Sequence, residues 1–172
     1  MVVMGVSGCG KSLIGSQLAK ALGINFFDGD DYHSTENIKK MSEGIPLTDG
    51  DREVWLVTLS TLIHEQKNAV VACSALTPKY REILTRATPE LKFVYLKGDF
   101  DTIWHRHQKR ENHYFKGQSL LKDQFETLIE PSSHEALIVD IRQSVDEIVI
   151  DIQTQLSTLA TKHWDNNRVN NE

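Results

Sequence analysis

The sequence is poor in cysteine, in positive charge and in long apolar runs, and each shortage excludes a class of protein. Cysteine occurs only at Cys9 and Cys73, so no disulfide framework is possible and a reducing, cytoplasmic setting is expected. Lysine and arginine number 19 against 24 acidic residues, which leaves no basic excess for a nucleic-acid backbone. No apolar run approaches the ~20 residues that span a bilayer, and the N-terminus lacks the pattern of a signal peptide. We therefore expect neither a nucleic-acid partner nor a membrane association.

The length of 172 residues predicts a single domain, 1–172. Short apolar runs alternate with helix-like stretches along it. Strands are predicted at 2–4, 24–27, 69–73, 93–96 and 137–139. Helices are predicted at 12–22, 51–66, 101–110 and 145–159, with shorter ones around 38–41 and from 78. Residues 111–118 are predicted as a loop and 164–172 as a polar tail. The alternation predicts an α/β fold in which a parallel sheet is covered by helices on both faces.

Within the predicted helix 51–66, one side should face the core. The residues expected there are Val54, Trp55, Leu59, Leu62 and Ile63.

Residues 5–12 match the phosphate-loop pattern G-x-x-x-x-G-K-[ST] at every fixed position. The glycines let successive backbone N–H groups point into one concavity, and the following helix adds the positive end of its dipole. Lys11 is expected to reach the β- and γ-phosphates of a nucleotide, and the Ser12 hydroxyl to bind Mg²⁺. A strand precedes the loop and a helix follows it, which is the context that such a loop requires.

An acidic cluster, Asp28-Gly29-Asp30-Asp31, follows the second predicted strand. In an extended segment Asp28 and Asp30 would point to the same side. Beside a triphosphate, one carboxylate would organise Mg²⁺ and the other would accept a hydroxyl proton. We assign the metal to Asp28, because the third strand ends in Cys73-Ser74-Ala75 and offers no carboxylate. The alternative is a solvated turn, since Asp and Gly are common in turns.

Three arginines are further candidates for binding anionic groups. Arg52, at the start of a predicted helix, could hold a planar carboxylate through two parallel hydrogen bonds, or could form only a surface ion pair. Arg106 and Arg110 are four residues apart and share a helix face, from which they could neutralise the γ-phosphate. A solvated basic face is the alternative for that pair. Asp49 and Asp51 are interpreted as helix caps and dipole partners.

These motifs together resemble the gluconate kinase family of small P-loop kinases over residues 4–141. The resemblance rests on residues 4–12, Asp28-Gly29-Asp30, His33, Asn37, Lys40, Met41, Gly44-Ile45-Pro46-Leu47, Asp49, Asp51-Arg52, Trp55-Leu56, Cys73-Ser74-Ala75-Leu76, Tyr80-Arg81, Leu96-Lys97-Gly98-Asp99, Arg106, Arg110, His113, Gln124-Phe125-Glu126-Thr127-Leu128 and Glu130-Pro131. The chain departs from the family pattern at Cys9, Ser34, Val54, Thr77 and Asn112, where the family usually has Ser, Pro, Pro, Lys and Gly.

The resemblance implies transfer of the γ-phosphoryl group of ATP to the 6-hydroxyl of D-gluconate. It also implies Mg²⁺, a homodimer, a five-stranded parallel sheet of the nucleoside-monophosphate-kinase type, a lid near 104–120 and a substrate-binding segment near 28–56. The implied catalytic residues are Lys11, Asp30 and Arg110, and the implied metal ligands are Ser12 and Asp28. The implied nucleotide site comprises Gly5, Ser7, Gly8, Cys9, Gly10, Lys11, Ser12, Arg106 and Arg110. The implied substrate site comprises Asp28, Asp30, His33, Arg52, Tyr80, Arg81 and His113.

Without the resemblance, the residues indicate a P-loop kinase of a small, anionic, hydroxylated substrate. A kinase of another acid, such as shikimate, or of a nucleotide is the nearest alternative. A nucleotide-dependent switch is a different class, but such proteins usually carry Asn-Lys-x-Asp and Asp-x-x-Gly, and the chain has neither.

Overall fold

The centre of the fold is a parallel sheet. The computed structural model describes residues 1–108 and 118–169, and this part of the chain contains five strands in one sheet. The strands are β1 (Val2–Met4), β2 (Asn25–Asp28), β3 (Ala69–Ala72), β4 (Phe93–Lys97) and β5 (Ala136–Asp140). Their order across the sheet is β2-β3-β1-β4-β5, and every neighbouring pair is parallel. The predicted fold class is confirmed.

Helices connect and cover the strands. They are α1 (Lys11–Leu22), α2 (Thr35–Ser42), α3 (Asp49–Gln66), α4 (Pro78–Thr85), α5 (Phe100–Gln108), α6 (Gln118–Thr127) and α7 (Val145–Val169), with a 3₁₀ helix at Gly29–Tyr32. Helix α1 packs against β2, β3 and α7, and α3 packs against α4. None of the helices in the described ranges is both long and apolar enough to cross a membrane.

The middle strands are buried on both faces, as expected for strands with helices on either side. Val2, Val3 and Met4 of β1 have no exposed surface, and all four residues of β3 are buried. From β1 the chain turns towards β2, whereas from β4 it turns towards β5, so the strand order switches direction between β1 and β4. Ligands of open α/β sheets bind beyond the carboxyl ends of the strands at such a point. The loop after β1 therefore stands where a ligand is expected.

The buried side of α3 differs from the prediction at two positions, Val54 and Leu56. Trp55, Leu59 and Ile63 are buried as expected, but Val54 is 73% exposed and Leu56 is completely buried. A helix turns 100° per residue, so the stripe through Trp55 and Leu59 also includes Leu56 and Arg52 but leaves Val54 on the opposite side. Placing Val54 in the core was wrong because its apolar character was weighed above its helical phase.

The structure contains more helix than predicted in two segments. Helix α6 was not predicted as a separate element, and residue 118, assigned to a loop, begins it. Its buried side chains are Leu120, Leu121 and Gln124, and the polar third member hides the apolar periodicity. Helix α7 continues to Val169 instead of ending near 159, since residues 160–169 contain no Gly or Pro to stop it.

Candidate active site

The phosphate loop lies between β1 and α1 at the carboxyl edge of the sheet. Gly5 has a φ of +141°, and a Cβ there would lie 2.8 Å from Cys9 Sγ and 3.0 Å from Leu96 O, so only glycine fits. Its N–H donates to Ser74 O at 3.3 Å, which attaches the start of the loop to the segment after β3. Gly10, with a φ of +105°, is the N-cap of α1. The loop therefore turns directly into the positive end of a helix, as an anion site requires.

The Lys11 ammonium group and the Ser7 hydroxyl of the loop differ in their hydrogen bonds. Lys11 Nζ donates to Val6 O at 3.0 Å, so the ammonium group lies back over the loop. Ser7 is 4% exposed, and its hydroxyl is buried without a hydrogen-bond partner among the described residues. The Ser7 N–H donates to Gln124 Oε1 of α6 at 2.6 Å. A buried polar atom without a partner is unfavourable, and a phosphate oxygen would supply the missing acceptor.

The acidic segment forms a tight turn and is not extended as predicted. Asp28 is the last residue of β2, and its carboxylate accepts the N–H of Asp30 at 3.1 Å as the cap of the 3₁₀ helix. Trp55 Nε1 donates to Gly29 O at 2.7 Å, and a Cβ on Gly29 would lie 2.3 Å from Ala72 O. Gly29 packs closely against β3, and this contact bends the chain. The prediction that Asp28 and Asp30 lie in an extended strand used only the alternation of side chains along the sequence, which contains no information about this contact. Backbone contacts thus hold both carboxylates at the end of β2.

The buried thiol of Cys73 is influenced by charges of both the acidic turn and the phosphate loop. Burial raises the pKa of Cys73 to about 12; the charges of Asp30 and Asp28 add to the rise, and that of Lys11 opposes it. All three charged groups therefore act electrostatically on the same buried thiol at the end of β3. Cys73 itself is a core residue, 1% exposed, at the end of the predicted strand 69–73.

His33 lies between Asp30 and the aromatic ring of Trp55. Its ring stacks on Trp55 with centroids 4.1 Å apart and planes at 19°, and its Nε2 is 3.8 Å from Asp30 Oδ1. Asn37 Nδ2 is 3.5 Å from His33 Nδ1. Burial lowers the pKa of His33, and Arg52 lowers it further, while Asp30 acts in the opposite direction. The imidazole is therefore neutral at pH 7 and contacts a proposed catalytic carboxylate from the side.

Arg52 is oriented by a network that begins at Tyr80. Arg52 is 9% exposed, its Nη1 donates to Tyr80 Oη at 3.3 Å, and its Nη2 is 3.9 Å from Asp123 Oδ2. Tyr80 Oη donates in turn to Asp49 Oδ1. Hydrogen bonds from Tyr80 and Lys79 lower the pKa of Asp49, so this carboxylate stays charged and fixes the tyrosine. The alternative of a plain surface ion pair does not describe Arg52, because its guanidinium group is buried in a network.

The predicted caps of α3 have separate roles. Thr48 is the N-cap and forms a capping box with Asp51, which also pairs with Lys40 Nζ at 2.7 Å. Asp49 binds Tyr80 instead of capping the helix. Thr77, where the family usually has Lys, caps α4 by accepting the Tyr80 N–H. This position therefore stabilises the helix that carries Tyr80.

Arg81 has contacts of a different kind from the one predicted. It is 4% exposed, and its Nη1 donates to Ala75 O and Ile129 O, each at 3.2 Å. Its Nη2 lies 3.4 Å from Glu135 Oε1. These contacts anchor the segment after β3, where Ala75 has a φ of +46°. A direct contact of Arg81 with substrate stays a prediction, and its described contacts are with the protein.

Of the predicted lid residues, Arg106 falls within the described chain. Its Nη2 donates to Ile141 O at 2.8 Å, which joins α5 to the segment after β5. Arg110 and His113 lie outside the described residues, as does most of the predicted loop.

Two side chains of α6 belong to the site and were not recognised as functional. Asp123 faces Arg52, and Gln124 holds the phosphate loop. A signal for Gln124 existed, since it follows Leu120 and Leu121 at helical spacing and so puts a polar group at a core position.

Comparison with known proteins agrees with this geometry. The shikimate kinase family profile matches residues 7–159. The chain is 46% identical to the thermoresistant gluconokinase of Escherichia coli K12 over 86% of this chain and 87% of the relative. It superposes on the crystal structure of a gluconokinase from Sinorhizobium meliloti 1021 with a TM-score of 0.88 and 42% identity, covering 96% of this chain and 95% of that one. The shikimate kinase of Aquifex aeolicus, at 20% identity and a TM-score of 0.64, covering 92% of this chain and 96% of that one, shares the fold.

Proposed function

The chain belongs to the gluconokinase branch of the shikimate kinase family, and from this premise we propose that it phosphorylates D-gluconate with ATP. The products are 6-phospho-D-gluconate and ADP. The observation that carries the proposal is that the phosphate loop and the acidic turn both contact the end of β3. The Gly5 N–H donates to Ser74 O, and Gly29, between Asp28 and Asp30, packs against Ala72 O, which brings a phosphate loop and two carboxylates to one edge of the sheet. A phosphoryl donor and a hydroxyl acceptor need this pairing of groups.

In the proposed reaction the 6-hydroxyl oxygen attacks the γ-phosphorus, and the bond to the β–γ bridging oxygen breaks. Asp30 accepts the hydroxyl proton, while Lys11 stabilises the negative charge on the β- and γ-phosphates. The neutral His33, with its Nε2 3.8 Å from Asp30 Oδ1, adds no positive charge beside this carboxylate. Arg106 and Arg110 are proposed to act on the nucleotide from a lid at 104–120.

Mg²⁺ is the proposed metal. The Ser12 hydroxyl and the Asp28 carboxylate are hard oxygen donors of the kind that Mg²⁺ prefers, and a triphosphate supplies further oxygens. Groups of three His, Cys, Asp or Glu side chains that could hold a metal are absent from the described residues, so the ligand set would depend on the nucleotide. When bound, the ion would neutralise phosphate charge.

We expect Asp28→Asn to raise the Mg²⁺ concentration needed for half-maximal rate by about tenfold, because the substitution removes a charged ligand. Turnover at saturating Mg²⁺ should fall far less. The check is a Mg²⁺ titration at fixed ATP and gluconate, with Asp31→Asn as the control from the same turn. An unchanged Mg²⁺ requirement would remove Asp28 from the metal site.

The acid end of gluconate is proposed to bind Arg52. Its guanidinium group is held by Tyr80, and its ion pair with Asp123 is long, at 3.9 Å, so a substrate carboxylate can bind it more closely. We expect gluconate to be phosphorylated at least ~100-fold more efficiently than glucose, which has no carboxylate. Arg52→Ala should remove most of this preference by raising the KM for gluconate. Equal kcat/KM values for the two sugars with the wild-type enzyme would contradict the role of Arg52.

The same assay tests the proposed function against its nearest alternatives. ADP release is measured with gluconate, shikimate and nucleoside monophosphates as acceptors. Turnover with gluconate alone supports the proposal, and a preference for either of the others overturns it. The homodimer and the cytoplasmic location implied by the resemblance remain proposals, and the second is supported by a sequence with only two cysteines, both of them buried.

A further inference from the structure

One peptide unit of the phosphate loop is held from both sides. The unit between Val6 and Ser7 contributes the Val6 carbonyl and the Ser7 N–H. The carbonyl accepts from Lys11 Nζ at 3.0 Å and from the Cys9 N–H at 3.3 Å, and the N–H donates to Gln124 Oε1 at 2.6 Å. A trans peptide is planar, and its C=O and N–H point in opposite directions. Fixing the N–H therefore fixes the direction of the carbonyl that receives the lysine ammonium group.

The contact with Gln124 is enclosed by protein. Gln124 and Ser7 are each 4% exposed, and the neighbouring Leu120 and Leu121 are each 1% exposed. A glutamine at this position in an otherwise apolar helix face would be unfavourable without a partner. The hydrogen bond with Ser7 provides that partner for its carbonyl oxygen. Gln124 is therefore specified by the loop that it holds and not by core packing alone.

We propose that Gln124 is a positioning residue for Lys11, acting through the Val6–Ser7 peptide unit. With Gln124 present, the carbonyl of Val6 aims the ammonium group before a nucleotide arrives. Without it, the peptide unit keeps its contact with the Cys9 N–H but loses the contact at its own N–H, so the carbonyl of Val6 orients the ammonium group less firmly. The inference rests on the nucleotide half of the proposed function, since Lys11 acts on the phosphates of ATP.

Gln124 is adjacent in α6 to a residue that contacts Arg52. The preceding residue, Asp123, lies 3.9 Å from the guanidinium group of Arg52. Consecutive residues of α6 thus contact the phosphate loop and the proposed acid subsite. A displacement of α6 would alter both halves of the site together.

The test is a double-mutant cycle read by ATP binding. Gln124→Met removes the acceptor at nearly constant length, Lys11→Met removes the ammonium group, and the third protein carries both changes. Dissociation constants for ATP are measured by titration calorimetry. Gln124→Met should weaken binding about tenfold, as expected for loss of one buried hydrogen bond that positions a charge. In the Lys11→Met background the same change should weaken binding less than about twofold, because its target is gone.

A merely structural role predicts a different result, namely that Gln124→Met weakens ATP binding equally in both backgrounds. Equal weakening, or no effect in the wild-type background, overturns the proposal. Glu126→Gln, on the same helix with a 68% exposed side chain, is the control and should bind ATP normally. Since the cycle uses no sugar acceptor, its outcome is independent of whether gluconate is the substrate, which the acceptor assay decides.

A second measurement needs no variant. The Ser7 amide should exchange its hydrogen with solvent slowly in the wild-type protein, because it is buried and bonded to Gln124. Exchange as fast as that of an exposed loop amide would show that the contact is absent, and would overturn the proposal even if the variants failed to fold.

Discussion

Asp30→Asn is expected to lower kcat for gluconate phosphorylation by about 10²–10⁴-fold, the range that a general base contributes. The affinity for ATP should change by less than about threefold, because the phosphate loop and Lys11 are untouched. The amide keeps the size of the carboxylate and cannot accept the hydroxyl proton. Steady-state kinetics, with ATP affinity measured separately, checks the result.

The structure offers a matched control in the next residue. Asp31 belongs to the same 3₁₀ helix, is exposed, and carries the same charge. Asp31→Asn should therefore leave kcat near the wild-type value. If the two variants lose activity equally, the net charge of the turn matters and Asp30 is not the base. If Asp30→Asn stays within a few-fold of wild type, the hydroxyl proton goes elsewhere.

The parts of the fold that were predictable from sequence are those fixed by local patterns. The phosphate loop follows from glycine and lysine spacing, and β3 from a short run of buried Ala and Val. The end of α1 follows from Gly23, which has a φ of +67°. In each case neighbours in the chain determine the backbone, so a single sequence is sufficient. The position of Arg52 near the start of a helix was predictable for the same reason.

The contacts that complete the site are long-range, and sequence patterns do not specify them. Gln124 holds Ser7 across 117 residues of chain, and Tyr80 binds Asp49 across 31. The bend at Asp28 depends on the space that β3 leaves for Gly29. Pairing of Arg81 with backbone carbonyls likewise depends on the packed position of α4. Such contacts require the sheet order, which the sequence alone does not give.

Gly29→Ala is expected to damage both stability and activity, because the methyl group would enter space occupied by β3. An added Cβ would lie 2.3 Å from Ala72 O and 3.1 Å from Leu59 Cδ1. The first neighbour is backbone in a central strand, so the acidic turn must move instead. Overpacking of this kind reduces the free energy of unfolding by about 1–3 kcal/mol. For a chain of this size, that lowers Tm by roughly 2–12 °C in thermal unfolding monitored by circular dichroism.

Activity should fall further than the loss of stability alone explains, because Gly29 connects Asp28 with Asp30 and its carbonyl accepts from Trp55 Nε1. A displacement of about 1 Å at a reacting group can lower the rate ~10²-fold, so kcat measured well below Tm should drop by about that factor. Gly50→Ala is the control: in α3 the nearest atom to its Cβ would be Thr48 Oγ1 at 3.9 Å, an ordinary contact. Alanine there should leave kcat unchanged and Tm equal or slightly higher, since it restricts the unfolded chain. Wild-type kcat in Gly29→Ala would mean that the turn tolerates movement and that the carboxylates are not held by β3.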